Sequence, residues 1–143
     1  MSEQSDDGAQ RSGPAGSPAG TVYDWYTRGV QLHGHGDVNA AVQLLAHACA
    51  AEPGSRSVRE ALARAQFDAG QYDAALKTFA WIVDQDPTDD YAQFGLGMAA
   101  RRTGDLSTAI EHLALAAAMR PEIQHYGREL RGARAHLNRA RSA

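Results

Sequence analysis

Six histidines and one cysteine are the side chains of this 143-residue chain best suited to chemistry. His33 and His35 flank Gly34, where two imidazoles could grip one metal ion, but no further His, Cys or carboxylate stands at a spacing typical of a site. No metal is therefore expected. His47, His112, His125 and His136 are scattered along the chain and are expected to be solvated or interfacial polar groups. Cys49 follows Ala48 in an apolar stretch, where its expected role is a small packed side chain; a reactive thiol would need a cation or a helix N-terminus close by. The chain contains no G-x-S-x-G, no phosphate-cradling glycine loop and no H-E-x-x-H. Neither catalysis nor a cofactor is expected.

The formal charge of -3 is unevenly spread. Residues 22–121 carry eight basic against twelve acidic groups, whereas residues 122–143 carry Arg128, Arg131, Arg134, Arg139 and Arg141 against Glu122 and Glu129. Clustered cations bind phosphates through counterion release, so a nucleic-acid or acidic-surface contact is one reading of this end, and a solvated helix face is the other. The acidic body, and the lack of interleaved aromatic residues beyond Tyr126, weigh against nucleic acid.

The elements that position these residues follow a fixed interval. GHGDVNAAV, DAGQYDAAL and RTGDLSTAI recur every 34 residues, aligning Gly29, Ala63 and Gly97; Gly36, Gly70 and Gly104; Ala41, Ala75 and Ala109; Leu45, Phe79 and Leu113; Pro53, Pro87 and Pro121. Small residues let paired helices approach, and glycine gives a tight inter-helix turn its backbone freedom. Asp37 and Asp105 stand where a side-chain oxygen can cap the following helix, with Gln71 a weaker substitute. Proline closes each unit because it cannot continue a helix interior.

This pattern resembles the tetratricopeptide repeat family, whose 34-residue helix-turn-helix unit reads W-x2-L-G-x2-Y, then A-x3-F, then P. Trp25, Gly29, Leu32, Ala41, Leu45 and Pro53 match in the first window, while Arg59 and Gln93 depart at the tryptophan position. The resemblance implies an all-α fold, an alpha-alpha superhelix of three repeats plus a capping helix. The expected organisation is a disordered leader over 1–21, repeats over 22–55, 56–89 and 90–122, and a capping helix and tail over 123–143. In the last segment Tyr126, Leu130, Ala133, Leu137 and Ala140 share one helix face.

On the first helix of the first repeat, Tyr23, Tyr26, Val30 and His33 lie about 120° from the face turned to its partner. The equivalent positions are Ser57, Glu60, Arg64 and Phe67, then Tyr91, Phe94, Met98 and Arg101. In the family resembled, first helices line a concave surface, which implies that this set either binds a partner or fills the space between successive helices. The partner-binding candidates are Tyr23, Tyr26, Val30, Arg64, Phe67, Tyr91, Phe94, Met98 and Arg101. They imply a protein or peptide segment, apolar with some acidic character, held by a non-catalytic adaptor. Self-association through either end of the stack is a further option. Chaperone-binding members hold a C-terminal carboxylate with a lysine, asparagine and arginine clamp; the matching positions here are Tyr26 and Val30, then Ala61, then Tyr91 and Gly95.

The first residues lack a basic stretch followed by an apolar one, and the longest apolar run, LALAAAM, falls well short of the roughly 20 residues that span a bilayer. With a single cysteine, a cytoplasmic location is expected. Thirteen arginines against the lone Lys77, with abundant alanine, suggest a GC-rich bacterial coding sequence.

Overall fold

The structure, a computed structural model, describes residues 18–142. Among them are seven α-helices and no strand: α1 (Val22–Gly34), α2 (Val38–Ala51), α3 (Arg56–Asp68), α4 (Tyr72–Gln85), α5 (Asp90–Arg102), α6 (Leu106–Met119) and α7 (Gln124–Ser142). The fold is all-α, of the alpha-alpha superhelix class. No helix among the described residues is long and apolar enough to cross a membrane.

Each helix pair turns at a glycine in the left-handed region, with φ of +88° at Gly36, +79° at Gly70 and +92° at Gly104. L side chains rarely adopt that conformation, so glycine ends the helix without strain. The next backbone N–H then reaches back to a carbonyl five residues earlier: Asp37 to Leu32, Gln71 to Gln66 and Asp105 to Ala100, each at 2.9 Å.

This backbone closure works whatever side chain follows the glycine, and it explains a difference from the sequence expectation. Asp105 caps α6, its carboxylate accepting from the Thr108 N–H at 3.1 Å. Hydrogen bonds from Thr108 hold that carboxyl below its ordinary pKa. Asp37 and Gln71 make no side-chain cap.

Further side-chain caps sit at the start of the first helix of each pair, in a column the sequence reading did not single out. Thr21, Ser55 and Asp89 accept from the N–H three residues on, at 3.3, 3.3 and 3.0 Å. At α1 this is a full capping box, because the Asp24 carboxylate also accepts from the Thr21 N–H at 3.0 Å. Of the leader expected over 1–21, residues 1–17 lie outside the described residues; Ala19 accepts from Trp25 Nε1 at 3.1 Å.

The chain forms two compact units, one up to Ala65 and one from Gln66. In the first, α1 packs on α2, and Gly29 makes the contact possible: a β-carbon there would lie 2.6 Å from Leu45. Leu45, Ala41, Ala48 and Cys49 are buried beneath it, so Cys49 is a packed thiol.

In the second unit, α5 packs on both α4 and α6, and α7 on α6. Two notches in α5 fix this arrangement. A β-carbon at Gly97 would lie 2.8 Å from Leu113, and one at Gly95 only 2.4 Å from Phe79, so α5 takes a knob from each neighbouring helix. Buried polar groups are satisfied: Thr78 donates to Gln66 Oε1 at 2.7 Å, and no buried side-chain N or O among the described residues lacks a partner.

In α7, Tyr126, Leu130 and Ala133 are buried. The apolar face then fades, since Leu137 is half-buried and Ala140 exposed.

Candidate functional site

The Gly29 notch turns one face of α1 onto α2 and leaves another outward. That outward face holds Tyr23, 73% exposed, Val30, 42% exposed, and half-buried Tyr26. Beside it runs an open groove of about 320 Å³, lined by Val22, Tyr23, Tyr26, Glu52, Ser55 and Val58. Isolated apolar residues at a surface are common, but here Tyr23 and Val30 share a helix face, and Tyr23 borders a concavity. Arg64, also in this unit, is exposed on α3.

A second groove of the same unit, about 530 Å³, was not legible from the 34-residue columns. Its walls include Trp25, Arg28, Leu32, Leu44 and His47, and His47 meets the Trp25 ring edge-on at 4.4 Å.

In the second unit the remaining candidates have neighbours of their own. Phe67 meets Tyr72 edge-on at 5.1 Å, and the Arg102 guanidinium lies over both rings, 5.5 Å from Phe67 and 4.9 Å from Tyr72. Tyr91 is edge-on to Phe79 at 6.1 Å.

Phe94 stacks on Tyr126 at 4.7 Å, Met98 packs against the cluster containing Leu113, Leu130 and Ala133, and Arg101 pairs with Glu129 at 3.3 Å. Phe94 and Arg101 therefore meet α7 directly, and Met98 packs against a core cluster to which α7 contributes. Tyr126 adds a hydrogen bond from its hydroxyl to Asp90 at 2.7 Å; burial, and then that bond, push its phenol above the ordinary value.

One further column escaped the sequence reading. Arg59 and Gln93 look like failures at the tryptophan position, yet all three side chains donate to the carbonyl six residues earlier. Trp25 reaches Ala19, Arg59 reaches Pro53 twice, at 3.1 and 3.0 Å, and Gln93 reaches Pro87 at 3.0 Å. The shared signal is an N–H donor at a fixed offset from the repeat boundary. Among the described residues, no group of three or more His, Cys, Asp or Glu is placed to hold a metal ion.

Helices paired through small-residue notches and closed by a left-handed glycine every 34 residues define a helical repeat protein. The tetratricopeptide repeat family model matches residues 60–122 of the chain. This fold supports protein–protein interaction in general.

No curated protein sequence matches the chain. Among solved structures it is similar to MamA from Desulfovibrio magneticus, with a TM-score of 0.79 and 23% identity, covering 82% of this chain and 66% of that one. It is also similar to the first tetratricopeptide domain of Spaghetti (RPAP3), solved bound to the HSP90 peptide SRMEEVD, with a TM-score of 0.76, 17% identity, and coverage of 82% and 94%. A third similarity is to the C-terminal tetratricopeptide-containing domain of a Plasmodium falciparum protein classed as FK506-binding, with a TM-score of 0.77, 19% identity, and coverage of 86% and 92%.

Proposed function

We propose that the chain is a non-catalytic adaptor that holds a short segment of a partner protein against the outward face of α1. The observation that carries this reading is the exposure of Tyr23 and Val30 on one helix face beside the groove that Tyr26 borders. Covering a large apolar side chain stabilises a complex by about 1.5–3 kcal/mol, so two or three anchors give a useful gross gain. Association and ordering costs remove much of it, leaving an affinity on the order of micromolar.

Equivalent columns on α3 and α5 supply Arg64 and Phe67, then Tyr91, Phe94, Met98 and Arg101. Because Phe94 and Arg101 also contact α7 and Met98 packs against the core, the α1 residues are the cleaner probes. Exposed Arg64 favours a partner segment that is apolar with some acidic character. The partner chemistry differs from that of a lysine–asparagine–arginine carboxylate clamp, because Tyr26, Val30, Ala61, Tyr91 and Gly95 stand at the matching positions.

The double variant Tyr23→Ser, Val30→Ser tests the reading. Both side chains are exposed, so stability should stay within about 0.5 kcal/mol of the parent. Partner capture in a pull-down should fall at least about tenfold, the loss of one apolar anchor. Undiminished capture by the folded variant would remove α1 from the interface.

A further inference from the structure

The outer face of α7 is chemically one-sided. At 100° per residue, Arg128, Arg131, Arg134, Arg139 and Arg141 fall within an arc of about 160° that contains no acid. All five are exposed, and no ion pair among the described residues engages them. Glu129 lies on the opposite flank, held by Arg101.

Two of these arginines also border a groove. A concavity of about 400 Å³ runs between the end of α6 and the start of α7, with Ala117, Pro121, Ile123 and Gly127 on its walls and Arg128 and Arg131 beside them.

The repeat register says what such a groove is shaped to take. Thirty-four residues earlier, the positions of Gly127 and Arg131 are Gln93 and Gly97 on α5, and both face α6. Gln93 Oε1 accepts from His112 Nδ1 at 2.7 Å, and Gly97 is the notch for Leu113. The α6–α7 groove is therefore the seat that a second helix takes against its first helix. In this seat the notch is replaced by an arginine. A helix as apolar as α6 would bury that guanidinium without a partner, a cost of several kcal/mol. A helix carrying carboxylates on one edge would satisfy it.

We propose that this groove is a second docking site, and that its occupant is an acidic amphipathic helix of a partner protein. Small apolar residues of that helix lie over Gly127, Ala117 and Ile123, and carboxylates three or four residues apart meet Arg128 and Arg131. The apolar walls and the two-arginine edge distinguish this seat from a diffuse polyanion surface. A second copy of the chain fits it poorly, because none of its described helices carries two acids three or four residues apart.

The test uses the full chain and two fluorescent synthetic helices with the same Ala/Leu stripe, one bearing Glu at four-residue spacing and one bearing Lys there. The Glu peptide should bind saturably and at least about tenfold more tightly than the Lys peptide. Arg128→Glu with Arg131→Glu should remove that preference. Arg134→Glu, Arg139→Glu and Arg141→Glu together should change Glu-peptide affinity by less than about threefold. Circular dichroism confirms that both variants keep their helices, and the Tyr23→Ser, Val30→Ser variant should bind the Glu peptide normally, which separates this site from the α1 face.

No saturable Glu-peptide binding, equal loss from the distal triple variant, or tighter binding of a single-stranded oligonucleotide than of the Glu peptide overturns the proposal. Concentration-dependent dimerisation abolished by Arg128→Glu with Arg131→Glu would also overturn it, assigning the seat to another copy.

Discussion

Gln93 shows how one side chain can keep a structural task while changing type. It is 3% exposed and spans two partners, the Pro87 carbonyl at 3.0 Å and His112 at 2.7 Å. The column it shares with Trp25 and Arg59 ties the end of one repeat to the first helix of the next. Replacing it with leucine keeps the size and strands both partners. Gln93→Leu should cost about 1–3 kcal/mol in urea unfolding, the usual penalty for an unsatisfied buried polar group. A variant as stable as the parent would mean that the Pro87 and His112 bonds contribute nothing net. The 34-residue period located this position in the sequence, but comparing residues by size hid the donor that tryptophan, arginine and glutamine have in common. The small columns were easier to read, because Gly29, Gly97 and their alanine partners act through volume alone.

At the scale of the element, α7 is held by Tyr126 as much as by its aliphatic face. The phenol is buried, stacked on Phe94 and bonded to Asp90. Its folded pKa is raised above the ordinary 10.0 by burial first and by Asp90 second, so the native state favours the protonated hydroxyl. That contribution is complete below about pH 10 and is lost as pH rises beyond it towards the folded value. Tyr126→Phe should cost about 1 kcal/mol at neutral pH and flatten the alkaline limb of a stability profile followed by thermal melting. An unchanged limb in the variant would show that this phenol does not couple α7 to pH. The helix itself, and its Tyr126–Leu130–Ala133 face, follow from the 3.6-residue period. That Phe94 and Arg101 would be drawn against it does not, because a repeat column fixes where a side chain points and not what stands opposite. The terminal repeat meets a helix whose side chains depart from those at the same register earlier in the chain, with Arg131 where α5 has Gly97.

For the molecule as a whole, the all-α class and the 34-residue unit were readable from glycines, alanines and prolines whose roles are steric and backbone-bound. Three repeats are close to the fewest that make a stable stack, so turn closure, inter-repeat caps and the close approach at Gly95 are all put to use. The proposed recognition face was readable only as a set of positions. Burial separates the set: exposed Tyr23 and Val30 from the half-buried aromatic residues of α3 and α5. The claim that this protein works by holding another chain on α1 is tested most directly by site-specific photocrosslinking. A photoreactive residue is placed at position 23, at position 30 and, as a control, at Leu115, which is 41% exposed on α6. The expected result is one partner protein joined covalently through positions 23 and 30 and absent at 115. No adduct at 23 and 30, or the same yield from all three positions, would contradict it.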